Sequence, residues 1–151
     1  MSQILSQALE AAASFISLLD PEEFGGKVDR PTAYLPKFNS VLIAEPEKNR
    51  IGIYNAKTLE FQVWLKHPNN TRGNSFEFPN CFYMMKNGLF IILEKSQLNI
   101  LNQDFFPYQK PILGSFCGLS EGPKGDILTC QLGYHRSVLK RVKLKEEEYG
   151  A

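Results

Sequence analysis

The histidines and cysteines are the residues whose types could support catalysis or metal binding, and their spacing favours neither. His67 and His135 lie in separate turn-like regions, without the paired ligands that a zinc site needs. Cys81, Cys117 and Cys130 form no CxxC pair. No Gly-rich phosphate loop, nucleophile elbow or zinc-protease pattern occurs in the sequence. We therefore predict no catalytic residue, no metal site, no cofactor and no enzyme activity.

The cysteine count also predicts a location. Three cysteines are an odd number, which disfavours a secreted disulfide framework and favours a reducing compartment with buried free thiols in strands. The N-terminus lacks a basic signal-peptide region, Glu10 interrupts its apolar stretch, and no apolar run reaches transmembrane length. We predict a cytoplasmic protein with no membrane association.

Basic side chains could bind nucleic acid only as a local patch. Seventeen Lys and Arg nearly balance sixteen Asp and Glu, and the net charge of +1 exerts no overall attraction for phosphate. The candidate positions for a partner or for RNA are Lys48, Arg50, Arg72, Lys86, Arg136, Lys140, Arg141 and Lys143. Residues 135–145 also read as an edge strand, where lysines commonly prevent aggregation. The acidic residues 146–148 directly after them would weaken a phosphate site.

Glu45 and Arg50 are predicted to form an ion pair. Glu45 precedes a tight turn, where a carboxylate can accept backbone N–H bonds, and Arg50 begins the next strand. Most such pairs are architectural or solvated, so a structural role is the first expectation.

The elements that must position these residues begin with one amphipathic helix. Apolar residues recur at helical spacing over residues 3–19, and Asp20-Pro21 marks the end of the helix. The predicted helix interface consists of Leu5, Leu9, Phe15, Ile16 and Leu19. The helix packs on its own domain or pairs with another chain. We assign residues 1–20 to this helix and residues 21–30 to a linker.

From residue 31 to residue 145 the pattern changes to short strands joined by polar turns. The predicted strands lie within residues 41–44, 50–54, 61–66, 81–85, 89–93, 98–101, 116–119, 126–130 and 137–142. Gly88 and Gly125 are expected to supply the positive φ of hairpin turns, and they are 37 residues apart. A period of this size fits one four-stranded propeller blade. Residues 146–151 form an acidic tail.

These repeats resemble NHL repeats. Residues 41–54 look like the second half of one unit, residues 76–79, 87–94 and 99–101 like a second unit, and residues 118–128 like the opening of a third. The second unit departs from the family pattern, with Gln97-Leu98 in place of an Asn-x-Arg turn. The resemblance implies a mainly β fold: an incomplete β-propeller of about three antiparallel blades with one N-terminal helix.

Three blades are too few to close a propeller, which usually needs four to eight. The outer blade faces would then stay apolar and exposed. We therefore predict a non-catalytic scaffold that assembles with another chain, itself or a protein partner, through its open blade faces. Some NHL propellers bind single-stranded RNA on a basic face, so the resemblance also implies RNA binding as an alternative.

Overall fold

The computed structural model describes residues 30–144, and this part of the chain is almost entirely β. Eleven strands form three antiparallel sheets of four, four and three strands. The first sheet contains β1 Thr32–Leu35, β2 Ser40–Glu45, β3 Arg50–Asn55 and β4 Phe61–Trp64. The second contains β5 Cys81–Met84, β6 Phe90–Leu93, β7 Gln97–Leu101 and β8 Ile112–Leu113. The third contains β9 Phe116–Glu121, β10 Ile127–Gln131 and β11 Val138–Val142.

Each sheet is a meander whose strands pair in chain order. The first strands of the three sheets are neighbours, with β1 contacting β5 and β5 contacting β9. The mainly β fold with about three antiparallel blades is therefore confirmed. The predicted helix at residues 3–19, residues 21–29 of the linker and the acidic tail lie outside the described residues.

The second sheet lies between the other two, and its strand β6 is buried on both faces. Phe90 and Ile92 point into a core shared with Leu42 and Ile51 of the first sheet. Because successive strand residues point to opposite faces, Ile91 and Leu93 enter a separate core with the third sheet. A continuous apolar run is what a strand between two packed neighbours requires.

Two turns in the first sheet use the same local design. A proline opens a short 3-10 turn at Pro36–Phe38 and again at Pro46–Lys48, and a left-handed asparagine, Asn39 or Asn49, closes it. In both turns the asparagine N–H donates to the proline carbonyl at 3.2 Å. The first of these turns joins β1 to β2.

The hairpin glycines behave as predicted, with φ of +92° at Gly88 and +73° at Gly125. The structure also contains two strands that the sequence did not predict, and it shows what the residues that open the second repeat unit form. β1 and β8 were not predicted, and residues 76–79 precede the second sheet without forming a strand. In β4 the predicted alternation breaks because a bulge opposes Tyr54 to Phe61 and Ile53 to Val63.

Candidate functional site

One face of the third sheet has no described sheet packed against it, and we call it the open face. Its inner side is closed, since Phe116, Ile127 and Val142 are buried against the second sheet. Side chains alternate along each strand, so the residues between these buried positions point to the outer side of the sheet, and the register brings them together there. The open face consists of Cys117, Ser120, Leu128, Cys130, Leu139 and Arg141, all of them half-buried or exposed. Leu139 is 74% exposed.

The outer face of the first sheet differs sharply in burial. Val41 and Ile43 occupy its centre and are only 1% and 3% exposed. They form a small cluster with Ala56, and Tyr34 and Tyr54 pack against it. We call this the closed face, because its central side chains are shielded from water although the second sheet lies on the other side of the first.

The predicted partners Glu45 and Arg50 are brought together at the end of this first sheet. They are directly opposed in the register of β2 and β3, and the Arg50 Nε donates to the Glu45 carboxylate. The Arg50 guanidinium also lies 3.9 Å from the centre of the Trp64 ring. Gly52 leaves space for the neighbouring rings, since a Cβ there would lie 2.8 Å from the Tyr54 ring and 3.3 Å from the Trp64 ring. Arg50 is thus held on two sides within its own sheet.

A buried carboxylate network joins the first sheet to the second. Glu94, directly after β6, is fully buried. Its Oε1 accepts from the Glu77 backbone N–H at 2.6 Å and lies 3.0 Å from the Arg72 Nη2. Its Oε2 lies 2.9 Å from His67 Nε2 and accepts from the Asn99 amide at 2.8 Å. Both carboxylate oxygens are fully engaged, as a buried charge requires.

The contacts of His67 assign its tautomer. The Asn69 backbone N–H donates to His67 Nδ1 at 2.9 Å, so Nδ1 carries no proton. The proton therefore sits on Nε2 and is donated to Glu94. His67 Nε2 then has no lone pair left to accept from Arg72 Nη1, which lies 3.0 Å away. Arg72 instead interacts with Glu94 through its other terminal nitrogen. His67 has no ring nitrogen left for a ligand or a substrate proton.

Burial alone would raise the pKa of Glu94, yet its pKa is lowered from the ordinary value. The hydrogen bonds from His67, Asn99 and the Glu77 backbone together outweigh the burial. A carboxylate with a lowered pKa and four donors is a poor general base. The His67–Glu94 pair resembles a catalytic dyad, but its role is to hold the loop between the first two sheets in place.

Three cavities near the described sheets bear on a possible site. The widest, of about 640 Å³, borders Asp126, Arg141 and Lys143 at the third sheet. The two smaller cavities concentrate no reactive groups. One, of about 210 Å³, borders His67 and Asn99, whose polar atoms already have partners. The other, of about 160 Å³, is mainly apolar and lies between Phe38 and Phe105. The Lys37 Nζ at its edge is 2.7 Å from the Asp104 carboxylate.

The sequence contains one indication of the buried network, the absence of an arginine turn after Glu94, which we did not interpret when we predicted the strands. Glu94 directly follows the second strand of its sheet, much as Glu45 ends the second strand of the first sheet, but Gln97-Leu98 follows where an arginine turn would be expected. An acidic residue without an arginine in its own sheet needs a cation from elsewhere. Arg72 supplies it from the preceding loop.

The eight basic candidates do not form one patch. Arg50, Arg72 and Arg141 pair with Glu45, Glu94 and Asp126, the last at 3.2 Å. The other five candidates are exposed, with Lys48 near the first sheet, Lys86 in the second, and Arg136, Lys140 and Lys143 along the third. Only the last three share a sheet, and no ion pair joins them to a described carboxylate.

Other predicted groups fall elsewhere. The helix residues Leu5, Leu9, Phe15, Ile16 and Leu19 lie outside the described residues. Within residues 30–144, no group of three or more His, Cys, Asp or Glu could hold a metal ion. None of the helices in that same range has the length and apolar character needed to cross a bilayer.

The cysteines differ from the expectation of buried thiols. All three are free and lie in strands, but Cys117 is exposed and Cys81 and Cys130 are half-buried. The expectation is wrong for Cys117 because no sheet within residues 30–144 covers the open face. Burial raises the pKa of the Cys81 thiol.

Comparisons with known proteins yield a structural similarity and no family. No protein-family model matches the chain, and no curated protein matches it. Among solved structures, the chain is similar to a catalytically inactive virginiamycin B lyase from Staphylococcus aureus, in a crystal structure with quinupristin. The identity is 15% and the TM-score 0.49. The match covers 80% of this chain and 43% of the lyase, so the chain spans less than half of that protein's length.

The buried network predicts how stability depends on pH. Because the folded state lowers the pKa of Glu94, its contribution is present above the unfolded value of about 4.3 and is lost as pH falls through the folded value. Glu94→Gln should lower the free energy of unfolding at neutral pH by about 3–5 kcal/mol, as breaking a buried ion pair does. It should also flatten the decline of stability below about pH 5.

Urea unfolding of wild type and variant across this pH range measures both effects. Glu77→Gln is the matched control, because Glu77 is an exposed carboxyl whose backbone alone binds Glu94. A Glu94→Gln variant with wild-type stability and the same pH slope would contradict the assignment.

Proposed function

We propose that this protein is a non-catalytic interaction module that associates with another protein chain through the open face of its third sheet. The observation that carries the proposal is the exposure of Leu139 beside Cys117, Leu128 and Cys130, on a face without a described covering layer. Blades bury apolar faces against neighbours, and an uncovered face of this kind marks an interaction site.

The two ends of the stack are unequal, which supports the third sheet as the interface. Val41 and Ile43 of the closed face are already shielded, so a partner there would bury little additional apolar area. Leu139 still exposes most of its surface to water. Association at the open face therefore has the larger hydrophobic driving force.

The chemistry of the polar groups supports a non-catalytic role. Glu94 and His67 have the types of a proton-transfer pair, but all four of their polar atoms bind donors or acceptors within the fold. Arg50 and Arg72 are likewise engaged with carboxylates. These groups contribute to architecture, and the exposed apolar surface is the feature left without a structural role.

We propose that a second copy of this chain binds the open face. We predict that light scattering at micromolar concentration gives a mass above the monomer value of 17.2 kDa. Leu139→Lys should raise the dissociation constant at least about tenfold, since burying a leucine contributes about 1.5–3 kcal/mol. Lysine would place a charge in the apolar centre of the contact.

Leu113→Lys is the matched control, because Leu113 is 75% exposed but lies on the second sheet. It should leave the mass unchanged. A wild-type chain that stays a monomer at this concentration, or equal effects of both variants, would overturn the proposal.

The predicted helix at residues 3–19 is our proposed cover for the closed face. Among the described residues, the cluster of Val41, Ile43 and Ala56 is formed by the first sheet and its turn, and an apolar layer from the same chain would account for its burial. We expect the doubly substituted variant Phe15→Asp, Ile16→Asp to lower Tm and to bind a hydrophobic dye more strongly. Ser14→Asp, Ser17→Asp on the polar side should change neither, and equal behaviour of the two variants would refute the packing.

RNA binding by an NHL-like module is the alternative, and Arg136, Lys140 and Lys143 are the exposed cations that favour it. If it holds, the affinity for single-stranded RNA falls steeply between about 50 and 200 mM salt, because phosphate contacts release counterions. Lys140→Glu, Lys143→Glu should abolish binding in fluorescence anisotropy, whereas Lys57→Glu on the first sheet should not. Absence of binding at about 50 mM salt would eliminate this alternative.

A further inference from the structure

Cys117 and Cys130 are directly opposed on the open face. They are register partners on the antiparallel strands β9 and β10. Opposed residues in such a pair have Cα atoms about 4.5–5.5 Å apart, and disulfides span about 4.4–6.8 Å. Besides local desolvation, the Cys130 thiol is near enough to raise the pKa of Cys117. The backbone therefore already has the spacing that a bond between these two sulfurs requires.

A bulge creates this pairing. From Ile127 to Thr129 the strands run in continuous register, which would place Gly118 opposite Cys130. The register then shifts by one residue, and Cys117 takes that position. Gly118 accommodates the shift with φ of +69°, where a side chain would be strained. The Thr129 hydroxyl donates to the Gly118 carbonyl at 2.7 Å and fixes the bulge.

Accessibility separates this pair from the third cysteine. Cys117 is exposed and can meet a reagent from solution, and Cys130 is half-buried directly beside it. Cys81 is opposed to Leu93 on the second sheet and packs against the core between the sheets. Only the pair on the open face combines an accessible thiol with an adjacent second thiol.

We propose that Cys117 and Cys130 form a reversible dithiol–disulfide site that reacts with low-molecular-weight disulfides of the glutathione class. The proposal goes beyond association, because it assigns a modification site on the open face. Its chemistry is carried by the opposed thiols and would stand even if the chain were monomeric.

The reaction proceeds by two exchange steps. The deprotonated Cys117 sulfur attacks one sulfur of the reagent, the reagent's S–S bond breaks, and one thiolate leaves with the electron pair. The deprotonated Cys130 sulfur then attacks the Cys117 sulfur of this mixed disulfide and expels the second thiolate. Each leaving thiolate takes up one of the two protons lost by the protein. Two protein thiols are oxidised by two electrons, and the reagent is reduced to two thiols.

The rate of the first step should depend on pH. Local desolvation and the neighbouring Cys130 thiol raise the pKa of Cys117 above its ordinary value. Because only the thiolate attacks, the rate should rise roughly tenfold from about pH 6 to pH 7 and continue to rise above neutrality.

The test incubates the full chain with glutathione disulfide at about pH 8, followed by iodoacetamide under denaturing conditions and intact-mass analysis. We expect one alkylated thiol, Cys81, and loss of two hydrogens without a glutathione adduct. Cys130→Ser should instead keep a stable adduct on Cys117, because the resolving thiol is absent. Dithiothreitol should restore three alkylatable thiols in the wild type.

Cys81→Ser is the matched control and should form the same disulfide as the wild type. Three outcomes would overturn the proposal: a wild-type chain that keeps all three thiols, a glutathione adduct that persists with Cys130 present, or a disulfide that includes Cys81. Peptide mapping of the oxidised chain distinguishes the last. Oxidation is assayed well below micromolar protein, so failure of self-association does not affect the result.

Discussion

Each described sheet carries apolar side chains on both faces, and the rest of the structure depends on how those side chains are covered. The second sheet is covered on both faces, since Phe90 and Ile92 face the first sheet while Ile91 and Leu93 face the third. The outer sheets each have one described neighbour. A stack of three therefore has two terminal faces by construction, and what covers each of them decides how the molecule behaves in solution.

The ionic groups solve a related problem at the junctions of the sheets. A glutamate stands at the end of the second strand in each of the first two sheets, Glu45 as the last residue of its strand and Glu94 directly after its strand, but the cation that pairs with it comes from different places. Glu45 is neutralised by Arg50 across its own hairpin, whereas Glu94 recruits Arg72 from the loop that arrives from the previous sheet. The second solution ties one sheet to the next, because removing the loop would leave a charge buried without a partner.

Local patterns predicted most strands, since alternation and hairpin glycines are short-range properties. They also predicted the opposition of Glu45 and Arg50, which are separated by a single tight turn. They did not predict β1, although Pro36 and Asn39 repeat the turn chemistry of Pro46 and Asn49. The His67–Glu94 contact and the opposition of Cys117 to Cys130 depend on long-range packing and on a bulge, and neither leaves a periodic signal in the sequence.

The two terminal faces differ in how much apolar surface they expose, and this difference links the architecture to the proposed function. If both faces were closed, the Glu94 network would offer no further binding site, because both oxygens of that buried carboxylate are already engaged within the fold. If both were open, the stack would present two apolar ends and could extend into open-ended assemblies. One closed face, at Val41 and Ile43, and one open face, at Leu139, would limit the proposed association to a single contact. Two copies joined through their open faces would bury the remaining apolar side of each sheet and end the stack there.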